Sequence, residues 1–143
     1  MTPRAEHGSV TLESTVLAPV LLAILLMIAV AGRIAVAAQS LDAAASAGAR
    51  AASIARSKTD ASTAANSIVK TTLGNQGVSC TDFDVTNDLA GFAAPIGERA
   101  TVTTTVTCRV SLADLTVAGV PGFVTLTATA WSPLDQFRER GRR

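Results

Sequence analysis

The hydrophobic pattern changes period twice along the chain. Residues 14–32 carry no charge and are almost wholly apolar. At about 1.5 Å per helical residue such a run covers roughly 28 Å, close to a hydrocarbon core of about 30 Å. One membrane-spanning helix is expected there. Pro19 falls early in it, where the missing amide can bend a helix but is tolerated in a membrane. Residues 33–57 continue as an alanine-rich stretch with good helix propensity. It reads as a stem leaving the membrane, with Ala31, Ala35, Ala38, Ala45, Ala52 and Ala55 offering small surfaces for close packing. Gly48 in its middle marks a contact or a slight bend, since glycine otherwise costs about 1 kcal/mol there.

A second, shorter helix is expected over residues 60–73, capped by Asp60. Ala61, Ala64, Ala65, Ile68, Val69 and Leu73 form its apolar stripe. Gly74, Asn75, Gln76 and Gly77 end it. The period then falls to two. Residues 78–86 are a candidate strand, residues 102–112 a clearer one, and residues 123–131 alternate Val124, Leu126, Ala128 and Ala130 with threonines. Gly91, Pro95 and Gly97 make the intervening loop, and residues 119–122 the last turn. The expected fold class is α+β: a long N-terminal transmembrane helix continuing into an extra-membrane stem, a short second helix and a small antiparallel three-stranded sheet. Such a sheet has little core of its own, so one face must lie on the stem or on another subunit. Trp131 is expected to finish that core, the other reading being an interfacial pair with Phe137. The segments are then a leader (1–8), the span (9–32), the stem (33–57), a small extra-membrane α/β domain (58–131) and a solvated polar tail (132–143).

Composition removes several function classes. The formal net charge is +1, with charged residues at 16% of the chain, so no global field attracts a nucleic acid. His7 is the sole histidine, and it lies in the leader; no glycine-rich phosphate loop occurs. Asp82, Asp84 and Asp88 are acidic neighbours without the spacing of a calcium loop, and a solvated strand edge is the simpler account. No catalytic residue, cofactor or metal ligand is expected, and the chain is not read as an enzyme.

Cys80 and Cys108 are the two cysteines, placed on the first and second candidate strands. They form no CxxC unit. The preferred reading is a disulfide, with a loop-closure contribution of about 3 to 4 kcal/mol; the other is two separate buried thiols. A disulfide needs an oxidising compartment, which puts the sheet outside the cytoplasm. The flanking charges, with Arg4, Glu6 and His7 before the span and Arg33 after it, do not set the orientation by themselves.

Three processing routes are open at the N-terminus. Ala35-Val36-Ala37 has the form of a signal-peptidase site, and an uncleaved signal anchor is a second route. The third comes from Gly8-Ser9-Val10-Thr11-Leu12-Glu13, which resembles the prepilin signal, cut after glycine with glutamate fifth in the mature chain. Counted from Ser9, Glu13 is that residue. Together with Leu17, Pro19, the aliphatic residues 20–28 and the small-residue helix from Ala35, the segment resembles the TadE-like family of pilus-assembly proteins. Ser9 stands where major pilins carry a large apolar residue, so the likeness is to a minor component.

That resemblance implies processing between Gly8 and Ser9 by a prepilin peptidase, and an assembly role for Glu13, paired with its own new amine or a neighbour's. It also implies a single-pass protein of the cytoplasmic membrane with its C-terminal domain outward. Its partners would be pilin-like subunits of a tight-adherence (Flp/Tad) pilus or a related secretion machine, the inner-membrane assembly platform and membrane lipid. The alternative function is an envelope-associated binding protein, unrelated to pili, that uses the helix only as an anchor.

Overall fold

The computed structural model describes the backbone of residues 9–111 and 122–137, and the side chains of residues 15–111 and 122–137. Its elements in order are α1 (Ser9–Ile54), α2 (Lys58–Asn75), β1 (Asp82–Asp88), a single 3-10 turn (Ala90–Ala93), β2 (Thr101–Ser111) and β3 (Phe123–Pro133). This is the expected α+β arrangement. The sheet is antiparallel throughout, in the order β1-β2-β3.

α1 is one continuous helix that includes Pro19 and joins the apolar run to the stem. Its upper part packs on α2 and on the inner face of the sheet. Leu41, Ala44, Ala45 and Ala49 are buried there. One core cluster joins Leu41, Ala44 and Ala45 to Val69 and Leu73 of α2 and to Val106, Cys108 and Val110 of β2. A second, at the other end, joins Ala52, Ala61, Ala65, Val102 and Leu134. Alanine on α1 lets the helices and the sheet approach closely, so a small head is built around a thin stem. Of the small residues expected at contacts, Ala45 and Ala52 are buried, whereas Ala31 and Ala35 are exposed.

α2 begins earlier than expected. Ser57, and not Asp60, is its cap: Ser57 Oγ accepts from the Asp60 amide at 3.1 Å and donates to the Asp60 carboxylate at 2.7 Å. Asp60 therefore holds the cap from three residues in, through its amide and its carboxylate, both on the Ser57 hydroxyl. The predicted stripe holds at Ala61, Ala65, Val69 and Leu73, which are buried. At the far end Gly77 takes a positive φ of 67°, and the Val78 amide returns to the Leu73 carbonyl at 3.2 Å. Only glycine adopts that backbone freely, so it stops the helix and turns the chain toward β1.

β1 lies later than the predicted 78–86, and Cys80 precedes the strand instead of sitting on it. In β2 the even-numbered residues Val102, Thr104, Val106, Cys108 and Val110 point inward, as their alternation predicts. Leu112 and residues 119–121 of the predicted turn lie outside the described residues. The register pairs Val106 with Val85 on one side and Ala128 on the other. The same parity corrects one expectation: Trp131 pairs with Thr103 and projects to the outer face, 70% exposed. β3 runs on past residue 131, and Ser132 and Leu134 are buried in its place. The Leu134 amide donates to the Ala100 carbonyl at 2.8 Å, closing the sheet's end over the second cluster.

Candidate functional site: the membrane junction

The lower half of α1 is apolar and uncovered. Leu21, Leu25, Met27 and Ile28 are more than half exposed, and exposure goes round the helix instead of along one face. A core helix of a water-soluble domain hides such residues; this one leaves them for lipid or for other helices. The helix is long and apolar enough to cross a membrane within Thr15–Ile54. Burial by the head starts at Ala37, one turn after Arg33, and continues through Ser40 and Leu41. The head thus sits at the end of the uncovered segment, with no intervening linker.

Gly8 lies outside the described residues, as do Arg4, Glu6 and His7. Ser9 is the first residue of α1 and Glu13 follows in the same helix. Four residues of helix separate them by about 6 Å along the axis. The backbone therefore places the glutamate one turn from the residue that processing would make N-terminal.

Cys80 and Cys108 form a disulfide with Cα atoms 5.4 Å apart and a sequence separation of 28. The bond ties the connection after α2 to the middle of the sheet, close above the start of the stem. Thr81 reinforces it, donating through both its amide and its hydroxyl to the Arg109 carbonyl at 2.8 Å.

The outer face of the sheet is polar. Thr105 and Thr129 share a hydrogen bond at 3.1 Å, with Thr107 and Thr127 in the next row. Arg109 lies over the Phe123 ring, 4.4 Å from its centroid. That pair escaped sequence reading, although antiparallel register makes the two residues diagonal neighbours. Asp82, Asp84 and Asp88 line the exposed edge strand, where Asp84 accepts from the Thr86 hydroxyl and Asp88 from the Ala90 amide. Among the described residues no group of three or more His, Cys, Asp or Glu side chains is placed to hold a metal ion. Of the residues singled out in the sequence, the fold brings the two cysteines together and leaves Glu13 on a distant part of α1.

The family model described as TadE-like protein matches residues 8–50. The matched segment starts at Gly8, covers the whole uncovered span and ends in the packed stem. No curated protein and no solved structure matches the chain. The match and the uncovered apolar helix together support a membrane-associated protein with a TadE-like N-terminal region.

Proposed function

We propose that this chain is a minor pilin-like component of a tight-adherence (Flp/Tad) pilus assembly or a related secretion machine. It is anchored in the cytoplasmic membrane by α1, with the disulfide-bearing head outside. The observation that carries the reading is the coincidence at residue 8: the family match begins at the glycine that the prepilin-type junction would use. A prepilin peptidase cuts between Gly8 and Ser9, and Glu13 then sets the register of the helix among pilin-like subunits at the assembly platform. The head lies outside because the Cys80–Cys108 bond persists in oxidising compartments. The role is structural; force for assembly comes from other proteins.

Continuity of α1 through Ala35-Val36-Ala37 favours this route over signal-peptidase cleavage, because the cut would fall inside a helix already packing at Ala37. The test is mass spectrometry of the mature N-terminus in cells with and without the prepilin peptidase. A terminus at Ser9 that depends on the peptidase supports the proposal. A terminus at Ala38 assigns the chain to signal peptidase, and one at Met1 or Thr2 to a plain anchor. The envelope-associated binding protein draws on Trp131, exposed beside the threonine rows. Co-purification with an external ligand in the absence of pilus components would select it.

A further inference from the structure

Where α1 meets the head, an open groove of about 640 Å³ separates the helix from the α2–β1 connection. Gly32, Arg33 and Val36 form one wall, and Val78, Ser79 and Val110 contribute to the other. We propose that this groove holds one anionic phospholipid of the membrane that α1 crosses, its phosphate beside Arg33 and its chains running down α1 past Ala29. The inference rests on α1 spanning a membrane and does not require pilus assembly.

Three observations fix the occupant. The groove is continuous with the lipid-facing surface, since Met27 and Ile28, just below it, are 71% and 63% exposed. Arg33 is the first charge after the uncharged residues 14–32, and eighteen helical residues beyond Thr15 it lies roughly 27 Å along the axis. In a hydrocarbon core of about 30 Å that is the headgroup level of the leaflet next to the head, where a guanidinium meets phosphate. The lining follows the same order along α1: Ala29, one turn toward the membrane from Arg33, is apolar, and Arg33 is the charge above it, with Ser79 on the facing wall. A Cβ on Gly32 would meet nothing within 4 Å, which leaves room at the mouth. The opposite wall is preformed, held by the Gly77 turn on one side and by the Cys80–Cys108 bond on the other.

The test reconstitutes the full chain in vesicles of equal parts phosphatidylcholine and phosphatidylglycerol and reads the lipid it keeps by native mass spectrometry. Retained phosphatidylglycerol should exceed phosphatidylcholine, and Arg33→Gln should lower that preference about five-fold. Arg33→Lys should keep most of it, and Arg50→Gln, an exposed position higher on the stem, should leave it unchanged. Val78→Trp, filling the groove, should reduce retention of both lipids while the disulfide and far-UV spectrum stay native. Equal retention of the two lipids by the unaltered chain, or a preference indifferent to Arg33→Gln, overturns the proposal. So does a second copy of the chain retained at the groove in place of lipid. A chain that fails to remain with the vesicles refutes the spanning of α1 itself and the groove with it. Failure of cleavage after Gly8 would leave the lipid result standing, so the two readings fail separately.

Discussion

Gly48 of α1 faces Val69 of α2 so closely that a Cβ on the glycine would lie 2.7 Å from Val69 Cγ2, and 3.2 Å from Thr104 Cγ2 of β2. The missing side chain lets a helix, a second helix and a sheet meet at one point. Gly48→Ala gains about 1 kcal/mol of helix propensity but overpacks a buried contact, which typically costs about 1 to 3 kcal/mol. The expected net effect is a loss of about 1 kcal/mol. Val69→Ala in the same chain should relieve the clash, so the pair should be less destabilising than the sum of the two single changes. Urea unfolding of the four proteins in detergent, followed by far-UV circular dichroism, measures that coupling.

Removing the disulfide tests what holds the lower end of the head. With a sequence separation of 28 between Cys80 and Cys108, the bond should contribute about 3 to 4 kcal/mol by restricting the unfolded chain. Replacing both cysteines by alanine should lower the unfolding midpoint of the head and leave α1 helical. Amide hydrogen exchange should then rise in residues 76–81 and in β2 before it rises in the stem. Equal exchange with and without the bond would assign the head's stability to packing alone.

A partly buried polar chain crosses from β2 through β1 to α2. The Thr104 hydroxyl donates to Asn87 Oδ1 at 2.9 Å, and Asn87 Nδ2 donates to Asn66 Oδ1 at 2.9 Å. Thr104 is fully buried, so Asn87→Ala leaves its hydroxyl without its acceptor. The cost should be about 1 to 3 kcal/mol. Adding Thr104→Val, which keeps the shape and removes the stranded hydroxyl, should recover a large part of that loss. Thermal unfolding of the single and double variants distinguishes this network from simple loss of side-chain volume, which the second change would not restore.

The sequence revealed the fold wherever pattern and local chemistry agreed. β2 and β3 alternate inward residues such as Val102, Val106, Val110, Leu126 and Ala128 with polar outward ones, so both faces could be assigned before the structure, and the apolar stripe of α2 was visible in its spacing. Parity along β3 also places Trp131 outside; the expectation of a core tryptophan followed residue type where position decided. Asn87 and Asp88 read as loop formers, yet they end β1 because Asn87 spends its amide on Asn66 and Thr104. Ser57 was masked by Asp60, an equally good cap, and only hydrogen bonding shows which residue caps the helix. On α1 the buried face around Leu41 and Ala49 was hard to read because alanine occupies exposed and buried positions alike. The membrane-length helix was legible because it depends on one-dimensional facts, the length and composition of an uncharged run.

Glu13 carries the last prediction, and its chemistry separates insertion from assembly. A glutamate at the edge of the span reaches headgroup water at modest cost, so Glu13→Gln should neither prevent insertion nor change the helix. What the substitution removes is the negative charge available to an amine at Ser9, on the same chain or on a neighbour. Insertion, measured by resistance to alkaline extraction, should therefore be unchanged, and mass spectrometry should still find Ser9 at the terminus. Piliation, or release of the associated secreted material, should fall sharply. Glu13→Asp, with the charge kept on a shorter stem, should restore part of it, which a requirement for side-chain size alone would not. Full assembly by the glutamine variant would remove Glu13 from the register mechanism and leave the apolar helix as the whole of the anchor.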